Sequence, residues 1–233
     1  MRIEPDISGV NIVFLGTFNP SIFTPAWFAM HKLLPGSVAE SADLQIANQW
    51  TTVFAADWLN LNVGTERFVA DTLQAPHIRV RDLVVRVFKE HLYHTPLTAF
   101  GINRDVHFQV RSLAERDRIG RVLAPVEAWG PWSKELGSDG RHGGMTSLTM
   151  TQINPNGRPE GGSINVKVEP SRRIGGDQRG VHVSINDHYV TDKTAPGSAE
   201  NLLSLLEDNF DSSILHSDGI VDHIMSLTKS KAD

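Results

Sequence analysis

Apolar residues recur along the chain with two different spacings, and the way these spacings alternate predicts a mixed α and β architecture. Residues 10–18 are rich in β-branched and aromatic side chains, which predicts a strand. Residues 24–34 carry apolar positions at helical spacing and predict a helix. Two apolar runs within residues 51–73, separated by residues 60–64, predict a β-hairpin with its turn at the separation.

The stretch at residues 78–110 separates two halves of similar composition. It predicts an amphipathic helix, a turn at Thr95-Pro96 and then an extended strand. We expect this stretch to pack at the centre of the fold, because its helix has one apolar stripe formed by Leu83, Val84, Val87, Phe88 and Leu92.

The second half repeats the mixture of helix and strand. Ser112 and Glu115 form a capping-box pattern that predicts a helix over residues 112–124. A loop rich in Trp, Pro and Gly follows. Beyond it the alternation of polar and apolar residues predicts a three-stranded antiparallel meander, and the end of the chain predicts a long helix. The predicted strands and helix are residues 145–153, 163–169, 180–190 and 198–227.

The predicted element order is β-α-β-β-α-β followed by α-β-β-β-α. Because hairpins are local and strict alternation of strand and helix is absent, we expect an α+β fold with mainly antiparallel sheet and helices packed on one face. The two halves are residues 1–128 and 129–233. The order of the predicted elements leaves open whether the halves pack as one domain. It is also compatible with a doubled architecture, although no exact repeat occurs in the sequence.

Composition narrows the classes of function. The chain has no cysteine, so it has no thiol nucleophile, no Cys-based zinc site and no disulfide framework. No apolar run reaches the roughly 18 to 20 residues that a membrane span needs, and the N-terminus lacks the pattern of a secretory signal. We therefore expect a soluble, cytoplasmic protein that has no contact with the membrane.

Charge is unevenly distributed along the chain. Residues 1–77 have 3 basic and 7 acidic side chains, whereas residues 78–129 have 9 and 6. Residues 130–193 have 8 basic and 7 acidic side chains, and residues 194–233 have 2 and 7. A basic middle flanked by acidic ends indicates segments that complement one another, either within the fold or between subunits.

The sequence contains none of the common catalytic and cofactor motifs. Neither G-x-G-x-x-G nor a P-loop, a G-x-S-x-G elbow or H-E-x-x-H occurs. His91 and His94 share a helical face without a third metal ligand, and His182 and His188 share a strand face as a conceivable base pair. We expect no metal, no cofactor and no catalytic residue that the sequence can name.

Basic residues in the predicted meander suggest one binding alternative. Lys167, Arg172, Arg173 and Arg179 cluster in two strands and the loop between them, where they could contact nucleic-acid phosphates. Glu169 and Asp177 dilute this patch, and aromatic residues are sparse around it.

Three short motifs resemble those of a sporadically distributed family of uncharacterised bacterial proteins of about this size. They are T-P-A-W-F at residues 24–28, R-D-L at residues 81–83 and G-I-N at residues 101–103. The resemblance implies an α+β fold and a prokaryotic or phage-related setting, with an association with antiviral defence. It implies no catalytic residues.

The first functional hypothesis is a non-catalytic protein-binding or assembly subunit that forms an oligomer or joins a complex. The alternative is a nucleic-acid-binding accessory protein that uses the basic hairpin loop, and the third is a hydrolase of unknown substrate. Under the first hypothesis the expected interface residues are Arg79, Arg81, Arg86, Leu202, Leu206 and Phe210.

Overall fold

The computed structural model of the protein describes residues 3–136, 143–174, 176, 179–190 and 199–229. A π-helical turn occupies Val87–His91, and 3-10 segments occupy Pro20–Ile22 and Val126–Lys134. The strands are β1 (Ile7–Gly16), β2 (Asp43–Ala47), β3 (Thr51–Ala56), β4 (Leu59–Gly64), β5 (Arg67–Thr72), β6 (Leu97–Gln109), β7 (Leu148–Ile153), β8 (Ser163–Pro170) and β9 (Gly180–Val190). The helices are α1 (Pro25–Met30), α2 (Gly36–Glu40), α3 (Ile78–Arg86), α4 (Leu113–Leu123) and α5 (Ala199–Ser226).

The nine strands of the described chain form one antiparallel sheet, in the order β2-β3-β4-β5-β1-β6-β9-β8-β7. This arrangement confirms the predicted α+β class. β1 and β6 lie side by side at the centre, and β6 in turn pairs with β9. Strands from both sides of the boundary at residue 128 therefore belong to one continuous sheet.

The helices cover one face of the sheet, which we call the helix face. Aromatic rings fill the space beneath α3, where Phe14 lies edge-on to Phe88 with ring centroids 5.0 Å apart. A second apolar cluster lies under α4 and the end of α5 and includes Val106 and Ile119. In the part of the chain that the structure describes, no helix is both long and apolar enough to cross a membrane.

The predicted hairpin is wrong in one respect, because residues 60–64 are not its turn. They belong to β4, in which Leu59, Leu61 and Val63 are buried and Asn60 and Asn62 are exposed. The asparagines suggested a turn, yet their alternation with apolar residues is that of a strand with one wet face. The predicted two-stranded hairpin is therefore the three strands β3, β4 and β5.

One further element differs from prediction, and another is confirmed. β2 was not predicted because every residue of this short edge strand is exposed, so it lacks a hydrophobic alternation. The long C-terminal helix runs through Gly219 without interruption. Glycine weakens a helix interior by only about 1 kcal/mol, and packing of this helix against β6 and α3 offsets that cost.

Side-chain caps fix the starts of two predicted helices. The Thr24 hydroxyl accepts a hydrogen bond from the Trp27 amide at 3.3 Å, and the Ser112 hydroxyl accepts one from the Glu115 amide at 3.2 Å. The Glu115 carboxylate accepts a hydrogen bond from the backbone amide of Arg111 at 2.8 Å. The reciprocal bond of the expected capping box is therefore made to the residue just before the Ser112 cap.

Charged side chains join the basic middle of the chain to its acidic end. Lys89 Nζ lies 3.3 Å from Glu207 Oε2, and Arg81 Nη1 lies 3.9 Å from Asp211 Oδ2. The most buried of these pairs is Arg104 with Asp218, whose Nε and Oδ1 atoms are 2.8 Å apart. The uneven charge of the sequence is therefore partly neutralised between segments of the same chain.

A second buried pair fixes the loop between β7 and β8 to β9. The Arg158 guanidinium donates to both carboxylate oxygens of Asp187, at 2.8 and 2.5 Å. It also lies 4.7 Å from the ring centroid of Tyr189, and that ring stacks on Phe100. Only 2% of the Asp187 side chain is exposed, and its charge is balanced by this arginine, while the Tyr189 hydroxyl also donates to it at 3.4 Å.

We expect Arg158→Ala to lower the free energy of unfolding by roughly 3–5 kcal/mol, because it leaves a buried carboxylate without its partner. Urea denaturation followed by circular dichroism measures this loss. The control is Lys89→Ala, which removes the exposed pair with Glu207 and should cost about 1 kcal/mol or less. Equal costs for the two variants would contradict the prediction. Replacing both members, by Arg158→Met and Asp187→Leu, should recover part of the loss.

Candidate functional site

The sheet face opposite the helices is polar at its centre, and we call it the open face. Side chains alternate between the faces of a strand, so the residues between the buried apolar positions project here. The register aligns Asn11 of β1 with Asn103 of β6, Asn186 of β9 and Asn165 of β8. We call these four residues the amide row.

Hydrogen bonds run in one direction along three of the four residues of the amide row. The Asn186 amide donates to Asn103 Oδ1, and the Asn103 amide donates to Asn11 Oδ1 at 2.7 Å. The Asn11 amide donates to Asp105 Oδ2 at 3.1 Å, so the chain ends on a carboxylate. At the other end of the row the Thr151 hydroxyl donates to Asn165 Oδ1 at 2.7 Å.

The amide row has unused hydrogen-bonding capacity. A carboxamide has two N–H donors and two acceptor lone pairs. In the hydrogen bonds described above, Asn11 and Asn103 each use one donor and one lone pair. Neighbouring strands lie about 4.8 Å apart, so the remaining donors and acceptors repeat at that interval. This arrangement suits a polar surface that binds through hydrogen bonds.

A cluster of charged side chains adjoins the amide row. His182 lies between two carboxylates, with Nε2 3.2 Å from Asp105 Oδ1 and Nδ1 3.3 Å from Glu169 Oε1. Lys167 pairs with Glu169 at 2.7 Å. Because both ring nitrogens of His182 face carboxylates, the charged form of this imidazole is favoured and neither nitrogen is free to act as a base.

His107 stacks on His182, with ring centroids 4.2 Å apart and planes 5° from parallel. Its Nδ1 lies 2.8 Å from the Ser171 hydroxyl, which also accepts from the Arg173 and Ile174 amides at 3.1 and 3.2 Å. Both lone pairs of that hydroxyl are therefore engaged, and its proton goes to Nδ1 of His107. His107 is thus neutral, with its own proton on Nε2.

The pKa values of this cluster follow from these contacts. The hydrogen bond with Asp105, and then that with Glu169, raises the pKa of His182 although burial opposes the shift. Burial also opposes ionisation of Asp105, but hydrogen bonds with His182 and Ser184 lower its pKa. Burial, reinforced by the neighbouring charge of His182, lowers the pKa of His107 to about 4.

The four residues predicted to bind nucleic acid lie in different settings. Lys167 is paired with Glu169, and Arg179 donates to the Arg111 carbonyl at 3.1 Å. Arg172 and Arg173 are exposed in the loop after β8. Asp105 and Glu169 lie on the same side of the sheet as Lys167, so the basic residues do not form a patch of one sign.

The arginines predicted at an interface make contacts within the chain. Arg79 lies 4.4 Å from the ring centroid of Trp58, and Arg86 donates to the Lys32 carbonyl at 3.3 Å. Arg81 pairs with Asp82 at 2.7 Å and lies over the ring of Phe210. These arginines therefore connect helix α3 to neighbouring segments of the same chain.

The apolar residues predicted at that interface are part of the core. Leu202 and Leu206 are fully buried, and Phe210 is 2% exposed. Their helical spacing identified the apolar face of α5 correctly, but that face packs against the sheet and α3. The prediction of these three residues as surface contacts for another chain is therefore corrected to core residues, because almost none of their surface is accessible.

In the residues that the structure describes, neither histidine pair is brought together with further side chains in a group that could hold a metal ion. His182 and His188 are six residues apart on β9, which separates them by about 20 Å. His91 contacts His31 and Trp27 through its ring, with centroids 4.3 and 6.0 Å apart. Among the described residues no group of three or more His, Asp or Glu side chains could hold a metal ion.

The two edges of the sheet differ in a way that the sequence did not reveal. β7 contains no charged residue and no proline, and its six residues pair with β8 without a register shift. Met150 and Ile153 on this strand are 65% and 74% exposed. The opposite edge, β2, carries Asp43 and has an irregular register between Leu44 and Ile46.

We expect stability to fall with rising pH through the titration of His182. The pKa of His182 in the folded state lies above 6.5. Its contribution to the free energy of unfolding is therefore complete below pH 6.5 and is lost as pH rises through the elevated pKa. Urea midpoints across a pH series should therefore decline less for His182→Gln than for the wild type above pH 6.5. The exposed His216→Gln is the control, and the same slope in all three proteins would refute the prediction.

The titration of His107 changes stability with pH in the opposite direction, because its pKa of about 4 in the folded state lies below 6.5. Its contribution is present above pH 6.5 and is lost as pH falls towards 4. Measuring on the alkaline side separates the two histidines.

Gly101 and Gly9 provide a matched test of the amide row. A Cβ at Gly101 would lie 2.7 Å from Asn186 Nδ2, whereas one at Gly9 would lie 2.9 Å from the flexible end of Leu73. We expect Gly101→Ala to lower the free energy of unfolding by roughly 1–3 kcal/mol by displacing Asn186 from Asn103, and Gly9→Ala to lower it less. Chemical denaturation measures both, and a larger loss for Gly9→Ala would contradict this account.

The sequence matches no family model, and no curated protein matches it.

Proposed function

We propose that this protein is a non-catalytic assembly subunit that binds another polypeptide by adding a strand to β7. The proposed setting is the cytoplasm, and the resemblance adds a prokaryotic or phage-related setting with an association with antiviral defence. The observation that carries the proposal is the β7 edge, which is uncharged, regular and apolar at two exposed positions.

An edge strand presents a row of backbone N–H and C=O groups to which another chain can pair. Proteins usually protect such edges with charges, prolines or bulges. β2 has such protection in Asp43 and its irregular register, while β7 has neither. This contrast within one sheet supports strand addition at β7 as a function, since the opposite edge shows the usual protection.

The chemistry of the open face also favours binding over catalysis. His182 is held by two carboxylates and His107 by the Ser171 hydroxyl, so neither is placed to take a proton from a substrate. A hydrolase that uses His182 and His188 together is disfavoured by the distance between them along β9.

Nucleic-acid binding through the basic loop is less well supported than protein binding. Lys167 is neutralised by Glu169, and the carboxylates of Asp71 and Asp105 lie on the open face. Phosphate binding requires an excess of positive charge, which leaves Arg172 and Arg173 as the main candidates.

The test compares two double variants of the tagged protein in cells of its source. Met150→Lys with Thr151→Lys places two charges on β7, and Leu44→Lys with Gln45→Lys places two on β2 as a matched control. We expect capture of the bound polypeptide to fall about tenfold for the β7 variant and to persist for the β2 variant.

Two outcomes would overturn this proposal. One is equal capture by both variants, which would place the binding surface away from β7. The other is capture that disappears on nuclease treatment and on changing Arg172 and Arg173 to Ala, which would favour the nucleic-acid alternative.

A further inference from the structure

The fold contains an internal two-fold repeat that the sequence does not display openly. The first half runs β1, helices, β2 to β5 and α3, and the second runs β6, α4, β7 to β9 and α5. In the sheet, β1, β5, β4 and β3 extend from the centre in one direction, and β6, β9, β8 and β7 extend in the other. The antiparallel pair of β1 and β6 lies on the axis that relates them.

The register makes the correspondence residue by residue. Asn11 pairs with Asn103 across the axis. Outward from Asn11 come Asp71, Asn60 and Ala55, and outward from Asn103 come Asn186, Asn165 and Thr151. The two central asparagines also share a local sequence, since Gly9-Val10-Asn11 corresponds to Gly101-Ile102-Asn103.

The two halves differ at their outer ends. In the first half β2 pairs antiparallel with β3, so that Asp43 lies beside Ala55. The equivalent of β3 is β7, and within the described residues no strand lies beyond it. β7 is therefore an edge in the second half, whereas its counterpart β3 is covered in the first.

We propose that a second copy of this chain occupies the outer edge of β7, pairing antiparallel with it through its own β7. This inference rests on the proposed function and names the partner at the same edge. The second copy would stand where β2 stands in the first half, and the two sheets would become one.

The composition of β7 favours its own copy as the occupant. An antiparallel pair of identical strands is related by a two-fold axis, so one uncharged surface satisfies both subunits. Leu148–Ile153 contains no Asp, Glu, Lys or Arg, and no like charges would face each other. β2 could not pair with its own copy so readily, because its irregular register would interrupt the ladder.

Antiparallel geometry and the length of β7 leave two registers with the longest overlap. Side chains that lie opposite each other must project from the same face, so the two-fold axis passes between a residue and its own copy in the second chain. Among the six residues of β7, an axis at Met150 or at Thr151 gives the most paired residues. With Met150 at the centre, Thr149 lies opposite Thr151 of the second copy, and cross-strand threonine pairs are favourable.

Single cysteines test this pairing cleanly, because the chain has none of its own. Directly opposite residues in an antiparallel pair have Cα atoms about 4.5–5.5 Å apart, within the range that a disulfide spans. We expect Met150→Cys or Thr151→Cys to form a disulfide-linked dimer on mild oxidation, seen on a non-reducing gel. Leu44→Cys on β2 is the control and should stay monomeric on that gel.

Sedimentation equilibrium of the protein without cross-links measures the monomer–dimer equilibrium independently. We expect the wild type to dimerise, and Met150→Lys with Thr151→Lys to require about tenfold more protein for half-dimerisation. Leu44→Lys with Gln45→Lys should dimerise as the wild type does. Circular dichroism of each variant checks that the fold is retained, and Thr149→Lys serves as a second β7 variant if the double substitution unfolds.

The results separate this inference from the proposed function. A wild type that stays monomeric, or a dimer that neither β7 variant weakens, overturns pairing between copies. If that monomer nevertheless loses a different captured polypeptide when β7 carries lysines, strand addition holds and only the identity of the partner is wrong. If the β7 lysines change neither dimerisation nor capture, both proposals fail.

Discussion

The antiparallel pairing of β1 with β6 is the interaction on which the rest of the structure depends. It joins the two halves along the length of β1, from Ile7 to Gly16. Backbone N–H and C=O groups must find partners when they are buried, so separating the halves would expose a ladder of hydrogen bonds as well as the apolar core. The same pairing places Asn11 beside Asn103 and thereby starts the amide row.

The two faces of that central pair impose opposite requirements. On the helix face Phe14 and Phe100 pack with aromatic and aliphatic residues, and burial of apolar surface attaches α3 and α5. The same face also contains Arg104 and Asp187, whose charges are tolerated because Asp218 and Arg158 pair with them. The open face has no apolar layer at its centre, so its amides and carboxylates hydrogen-bond with one another.

Sequence patterns predicted the elements whose alternation or helical stripe is regular. The meander, the capped helices and the long C-terminal helix are confirmed on this basis. Residues 60–64 were predicted as a turn because asparagine alone favours turns. Asn60 and Asn62 instead lie on the polar face of strand β4. β2 offered no signal, since an exposed edge strand has no buried side to create a pattern.

The candidate site was harder to predict than the fold because it depends on residues far apart in the chain. Asn11 and Asn103 are 92 positions apart and meet only through the register of β1 and β6. The one sequence signal was the recurrence of Gly, an aliphatic residue and Asn at residues 9–11 and 101–103. A doubled architecture was compatible with the element order, but the absence of an exact repeat concealed which residues correspond.

Charge complementarity, which the sequence did indicate, limits how this protein can associate. Lys89 with Glu207 and Arg104 with Asp218 join the basic middle of the chain to its acidic end. The apolar face of α5 is also used, since Leu206 is buried against the core. Charges that already pair within a chain contribute little to binding another, because a new contact would first have to break the old one. An uncharged edge such as β7 has no ion pair to give up, and strand pairing there adds backbone hydrogen bonds without disturbing the core.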